Sequence, residues 1–169
     1  MSRLVVFASA FSRLHADLMI VRLKRAGIST AHLSVIHPVH CCPNSTLCWL
    51  GGSTRLRVSS GENIAASGFL SESLQTPANV ATSDATFTGK LEQLGLAHEQ
   101  GLILEETMLE NRVAIAIEVM EKSELATILQ VLQRAGGEKI FTCRIDPSDA
   151  PRENRVQRPA TRIALSVAA

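Results

Sequence analysis

Apolar residues recur in two rhythms over the first 36 positions. Leu4, Val6 and Ala8 follow the two-residue period of a strand. Ala16, Met19, Ile20 and Leu23 then follow the i, i+3, i+4, i+7 spacing that lays one helix face on a sheet. Gly27 stands where a helix needs a residue tolerant of left-handed backbone angles to turn the chain out, and Ala31 to Ile36 reads as a second strand. The same order returns 109 residues later without a gap. Arg3 aligns with Arg112, and Val113, Ile115 and Ile117 take the strand positions. Leu125, Ile128, Leu129 and Leu132 take the helix stripe, Arg134-Ala135-Gly136 the turn, and Lys139 to Ile145 the closing strand.

Two β-α-β units at residues 3–36 and 112–145 predict a duplicated, ferredoxin-like α+β domain. Its expected form is a split β-α-β arrangement, a four-stranded antiparallel sheet with both helices on one face. Residues 37–111 break the pattern. They hold seven of the ten glycines and three of the four cysteines, so they read as an insertion with its own structure. Leu47 to Leu50, Arg55 to Val58 and Asn63 to Ala66 are strand candidates able to extend the sheet edge. Ser71 to Gly89, rich in Ser, Thr, Ala and Asn, reads as an exposed loop with at most a short helix. Lys90 to Leu96 and Ala97 to Glu110 look helical, with Gly95 between them. Residues 1–146 are thus expected as one domain, and 147–169, with Arg152, Arg155, Arg158 and Arg162, as a flexible basic tail.

Composition narrows the classes. At 46% hydrophobic and 20% charged, the 169-residue chain lies far from disordered compositions. A formal charge of +1 supplies no general field for nucleic acid or acidic lipid. No apolar run is long enough to span a bilayer, and Leu4 to Phe11 is needed as a strand rather than as a leader. The expected setting is cytoplasmic, with reduced thiols. The third strand of the repeat carries no aromatics with which a ferredoxin-like sheet would stack RNA bases, so nucleic acid is not expected as a partner. Its small aliphatic residues predict a sheet face without helices, to be covered by a second subunit or by the insertion. Self-association through the sheet face or edge is the expected partnership.

Candidate chemistry is sparse. His37, His40, Cys42 and Cys48 carry metal-type donors, but the paired C-x2-4-C spacing of a structural zinc site is missing. No cofactor is expected, with zinc at that cluster as the alternative. His98 and Glu105, two turns apart on one predicted helix, are the residues from which a general acid and base would be assembled. No nucleophile elbow, P-loop or dinucleotide-binding glycine motif is present.

Val5-Val6-Phe7 before a helix ending Leu23-Lys24-Arg25-Ala26-Gly27 makes up one recognisable stretch. Leu94-Gly95-Leu96, a helix, a strand at Arg112 to Val119 and a helix ending Arg134-Ala135-Gly136 make up another. In this layout the chain resembles the bacterial family of heat-induced or general stress proteins. The resemblance implies a small, non-enzymatic, stress-related α+β protein with no assigned catalytic residue. Together these observations predict a non-catalytic, homo-oligomeric domain with a regulatory or small-ligand role, the alternative being a small enzyme or metal-binding protein that uses the insertion.

Overall fold

The computed structural model describes residues 2–41, 53–75 and 86–145. In chain order the elements are β1 (Arg3–Ala10), α1 (Arg13–Arg25), β2 (Leu33–Pro38), β3 (Ser53–Arg57) and β4 (Asn63–Gly68). There follow α2 (Phe69–Leu74), α3 (Phe87–Gln93), α4 (His98–Leu109), β5 (Val113–Val119), α5 (Lys122–Arg134) and β6 (Glu138–Ile145). The strands form one six-stranded sheet in the order β3-β4-β2-β5-β1-β6, with every neighbouring pair antiparallel. The protein is α+β.

Alternation within the central strands divides the core. Val6, Ala8 and Ala10 of β1 point to one face with Val113, Ile115 and Ile117 of β5, where α1 and α5 cover them with Met19, Ile20, Leu23, Ile128 and Leu132. Val5 and Phe7 point to the other face with Ala114 and Ala116. There Leu104 and Met108 of α4 lie over the small β5 residues, Leu70 of α2 covers the β2–β4 side, and Phe87 and Leu91 of α3 pack on α4. At roughly 1.5–3 kcal/mol for each fully buried large side chain, both layers contribute heavily to stability.

The helix ends follow from local sequence. Ser12 caps α1 by accepting the His15 amide at 3.2 Å. Gly27, with φ +93°, ends the same helix as the amides of Ile28 and Gly27 return to the carbonyls of Leu23 and Lys24, both at 3.0 Å. Gly136 and Gly137 close α5 with the corresponding bonds to Gln133 and Leu132.

Two expectations need correction. The sheet has six strands rather than four, because the β3–β4 hairpin pairs with β2 and extends that edge. The stretch from Ser71 is not simply an exposed loop. Ser71 and Leu74 are buried in α2, and α3 begins at Phe87. Of the two covers expected for the sheet face left bare by the repeat, a second subunit or the insertion, it is the insertion's α2, α3 and α4 that lie on it. Within α5 only Ile128 and Leu132 are fully buried, while Leu125 and Leu129 sit at the margin of the core. The strand expected at Leu47 to Leu50 and the tail at 147–169 lie outside the described residues.

Gly68 makes the turn onto the second face possible. Its φ is +90°, and a Cβ there would lie 2.1 Å from the Leu33 carbonyl oxygen, so only glycine fits. The buried Ser34 hydroxyl accepts the Leu70 amide at 2.8 Å and ties α2 to β2. Farther along, Lys90 donates to the Leu74 carbonyl at 3.2 Å, and the partial burial of its ammonium holds its pKa below the ordinary lysine value.

Candidate functional site

The proposed metal ligands are only partly described, since Cys42 and Cys48 lie outside the described residues. His37 is buried in β2, and its Nδ1 donates to the Pro38 carbonyl at 3.0 Å, which uses one of its two ring nitrogens. His40 is exposed beyond β2 and reaches the Asn111 side-chain oxygen with Nε2 at 2.6 Å. Among the described residues, no group of three His, Cys, Asp or Glu side chains is arranged to hold a metal ion.

The proposed acid–base pair is not brought together. His98 is exposed at the start of α4 and contacts the Glu92 carboxylate. Glu105 is buried on another side of the same helix, where it accepts from the amide and hydroxyl of Ser59 and the hydroxyl of Thr88. Burial pushes its carboxyl pKa up, but the hydrogen bonds from Ser59 and Thr88 together outweigh that effect and hold it below the ordinary glutamate value. The ionised carboxylate is satisfied as an acceptor. It therefore works as a latch joining the β3–β4 hairpin, α3 and α4, and not as a poised base. Gly101 makes the latch possible, since a Cβ there would lie 2.8 Å from the Thr88 methyl.

The feature that sequence reasoning missed lies on the outside of α1. The buried stripe of Ala16, Met19, Ile20 and Leu23 is opposed by a second apolar stripe of Leu14, Leu18 and Val21, all exposed and with Leu14 79% accessible. Their i, i+4, i+7 spacing was legible, but it was overshadowed by the core stripe on the same helix. Phe11 extends this stripe at its N-terminal end.

Here β1 turns into α1, and several loops meet. The Phe11 amide donates to His15 Nδ1 at 3.2 Å, which puts the ring proton on Nε2, and Nε2 donates to the Ala135 carbonyl at 2.7 Å. That imidazole thus joins the α1 start to the end of α5. Its ring stacks on Phe11 with centroids 5.4 Å apart, and the Arg112 guanidinium lies 4.9 Å from the Phe11 centroid. Arg112 also pairs with Glu110 at 3.1 Å and with Glu138. Asn111 adopts a left-handed φ of 58°, which Asn tolerates better than most residues, and its side-chain oxygen meets His40. Phe11, Ser12, Arg13, Leu14, Asp17 and Asn111 line an open cleft of about 550 Å³. Its chemistry is that of a contact surface, with apolar area, a guanidinium, a carboxylate and an amide beside the Ser12 hydroxyl that caps α1.

The Cys143 thiol is free and buried, and burial pushes its pKa up to about 12, so it stays protonated. No described helix is long and apolar enough to cross a membrane. No family model, no curated protein and no solved structure matches the chain.

Proposed function

We propose that this protein is a non-catalytic association module built on a duplicated ferredoxin-like core, acting by joining copies of itself in a regulatory, stress-related setting in the cytoplasm. The observation that carries the reading is the outward apolar stripe of α1. Leu14, Leu18 and Val21 occupy the most solvent-facing line of a helix whose inner face is already fully packed. A helix that is apolar on both sides exposes surface that association removes from water. The ferredoxin-like part of the reading is supported by the order β2-β5-β1-β6 within the sheet and by matching glycine ends on α1 and α5. The stress-protein part is supported by the Val5-Val6-Phe7, Leu94-Gly95-Leu96 and Arg134-Ala135-Gly136 stretches alone. With its sheet faces covered from within, the chain associates through helix surfaces.

The test is the solution mass by light scattering across a range of protein concentrations. Wild type is expected above monomer mass, and Leu14→Asp with Leu18→Asp is expected to reduce it to a folded monomer. A wild-type protein that stays monodisperse and monomeric at high concentration contradicts the reading.

A further inference from the structure

The self-association reading leaves open which surface receives α1, and the opposite side of the molecule answers it. On α4, Leu102 and Leu109 are exposed two turns apart. Beside them the outward edge carries Glu99, Glu106 and Glu110, with Glu92 next to His98 at the helix start. Lys139 bridges Glu106 at 2.8 Å and Glu110 at 3.5 Å, yet Glu99, Glu106 and Glu110 outnumber it along this helix. The α1 stripe has the reverse character. Arg13, Arg22, Lys24 and Arg25 flank it against the single Asp17, and Arg22 Nη1 is anchored on the neighbouring helix by the Arg134 carbonyl at 3.0 Å.

Resting on the self-association reading, we propose that copies of this chain join head to tail, the basic-rimmed apolar face of α1 in one copy docking on the acid-rimmed apolar face of α4 in the next. The symmetric alternatives are electrostatically poor. A two-fold pairing of α1 on α1 centred near Leu18 sets Arg13 of one copy beside Lys24 of the other and brings the two Asp17 side chains together. Pairing α4 on α4 opposes Glu99 to Glu110. In the mixed pairing each leucine stripe meets a leucine stripe, and each charged rim meets its opposite. Because α1 and α4 lie on opposite faces of the sheet, the contact is heterologous. Each added copy then presents a fresh α1 or α4 face, and growth continues until a ring closes or a filament extends.

The test uses two full-length variants, Leu14→Asp with Leu18→Asp to block α1, and Leu102→Asp with Leu109→Asp to block α4. Each retains one intact face. Light scattering should find each variant monomeric alone and a one-to-one mixture at dimer mass and no larger, with unfolding midpoints near wild type. If either aspartate pair fails to fold, Arg22→Gln with Arg25→Gln and Glu99→Gln with Glu106→Gln replace them, each expected to weaken association at least tenfold. An α4-blocked protein that associates like wild type while the α1-blocked protein does not would overturn head-to-tail docking and leave self-association standing. Monomeric wild type would sink both.

Discussion

The two faces of the sheet are packed by different means. Beneath α1 and α5 the core is almost wholly aliphatic, formed by Val6, Ala8, Ile115 and Ile117 against Met19, Ile20 and Ile128. Beneath α2, α3 and α4 the core includes Phe7, stacked on Phe141 at 5.3 Å, and Phe87. It is positioned by special residues: Gly68 for the turn, Ser34 for the α2 amide, and Glu105 with Ser59 and Thr88 for the join between hairpin and helices. On the first face two regular 13-residue helices bring periodic apolar stripes to the sheet, so burial supplies most of the placement, with His15 Nε2 bonding the Ala135 carbonyl beside it. A layer built partly from helices as short as the six residues of α2 and the seven of α3 relies on directional contacts to fix its placement.

That difference makes the second face the more fragile to single polar or glycine changes. The largest effect is expected at Gly68→Ala, where a Cβ meets both the Leu33 carbonyl and an unfavourable φ. The cost should be about 3 kcal/mol or more, read as a lowered denaturation midpoint. A loss below about 1 kcal/mol would show that the turn relaxes freely.

Glu105→Gln comes next, at about 1–2 kcal/mol near neutral pH in denaturant unfolding. Because the folded-state pKa of Glu105 is depressed, its stabilisation is fully present above the unfolded glutamate value near about 4.3 and is lost as pH falls through the lower folded value. The gap between wild type and Glu105→Gln should therefore close in that acidic window. A constant gap down to the acid transition would mean that the charge is irrelevant to the latch.

Two glycine changes sharpen the comparison between faces. At Gly101 a Cβ would press on the Thr88 methyl at 2.8 Å, and Thr88 is held by its bond to Glu105. Gly101→Ala should thus cost about 1 kcal/mol despite the gain in helix propensity. At Gly137 a Cβ would meet the flexible end of Met19 at 2.9 Å, which can swing aside, and the Leu132 carbonyl oxygen at 3.1 Å, which need give only a few tenths of an ångström, so Gly137→Ala should cost less. The reverse order would place the rigid packing on the first face. The smallest effect is expected for Lys139→Ala, which removes surface ion pairs to Glu106 and Glu110. Its thermal midpoint should move by about 2 °C or less at physiological salt.

Legibility in the sequence divides along the same line. The first face was readable because each of its helices carries its own periodic apolar stripe and a glycine end, so Ala16, Met19, Ile20 and Leu23 announced the buried side of α1, and Gly27 and Gly136 its end and that of α5. The second face was not. Phe69 to Leu74 carries too few residues to show a helical period, and Gly68, Ser34 and Glu105 act through partners 17 to 46 positions away. The existence of the β3–β4 hairpin was visible in its strand and turn residues, whereas its pairing with β2 depends on tertiary contact. Among the site candidates, nothing local distinguished an inward Glu105 from an outward His98. The exposed Leu14, Leu18 and Val21 were hidden by sharing a helix with a stronger stripe.

Both faces being covered from within is the premise for association through helices, and hydrogen–deuterium exchange at low and high protein concentration tests it most directly. Raising the concentration should slow exchange in α1 and α4 and leave the β3 and β6 edge strands unchanged. Concentration-dependent protection along β3 or β6, with α1 unaffected, would contradict the account.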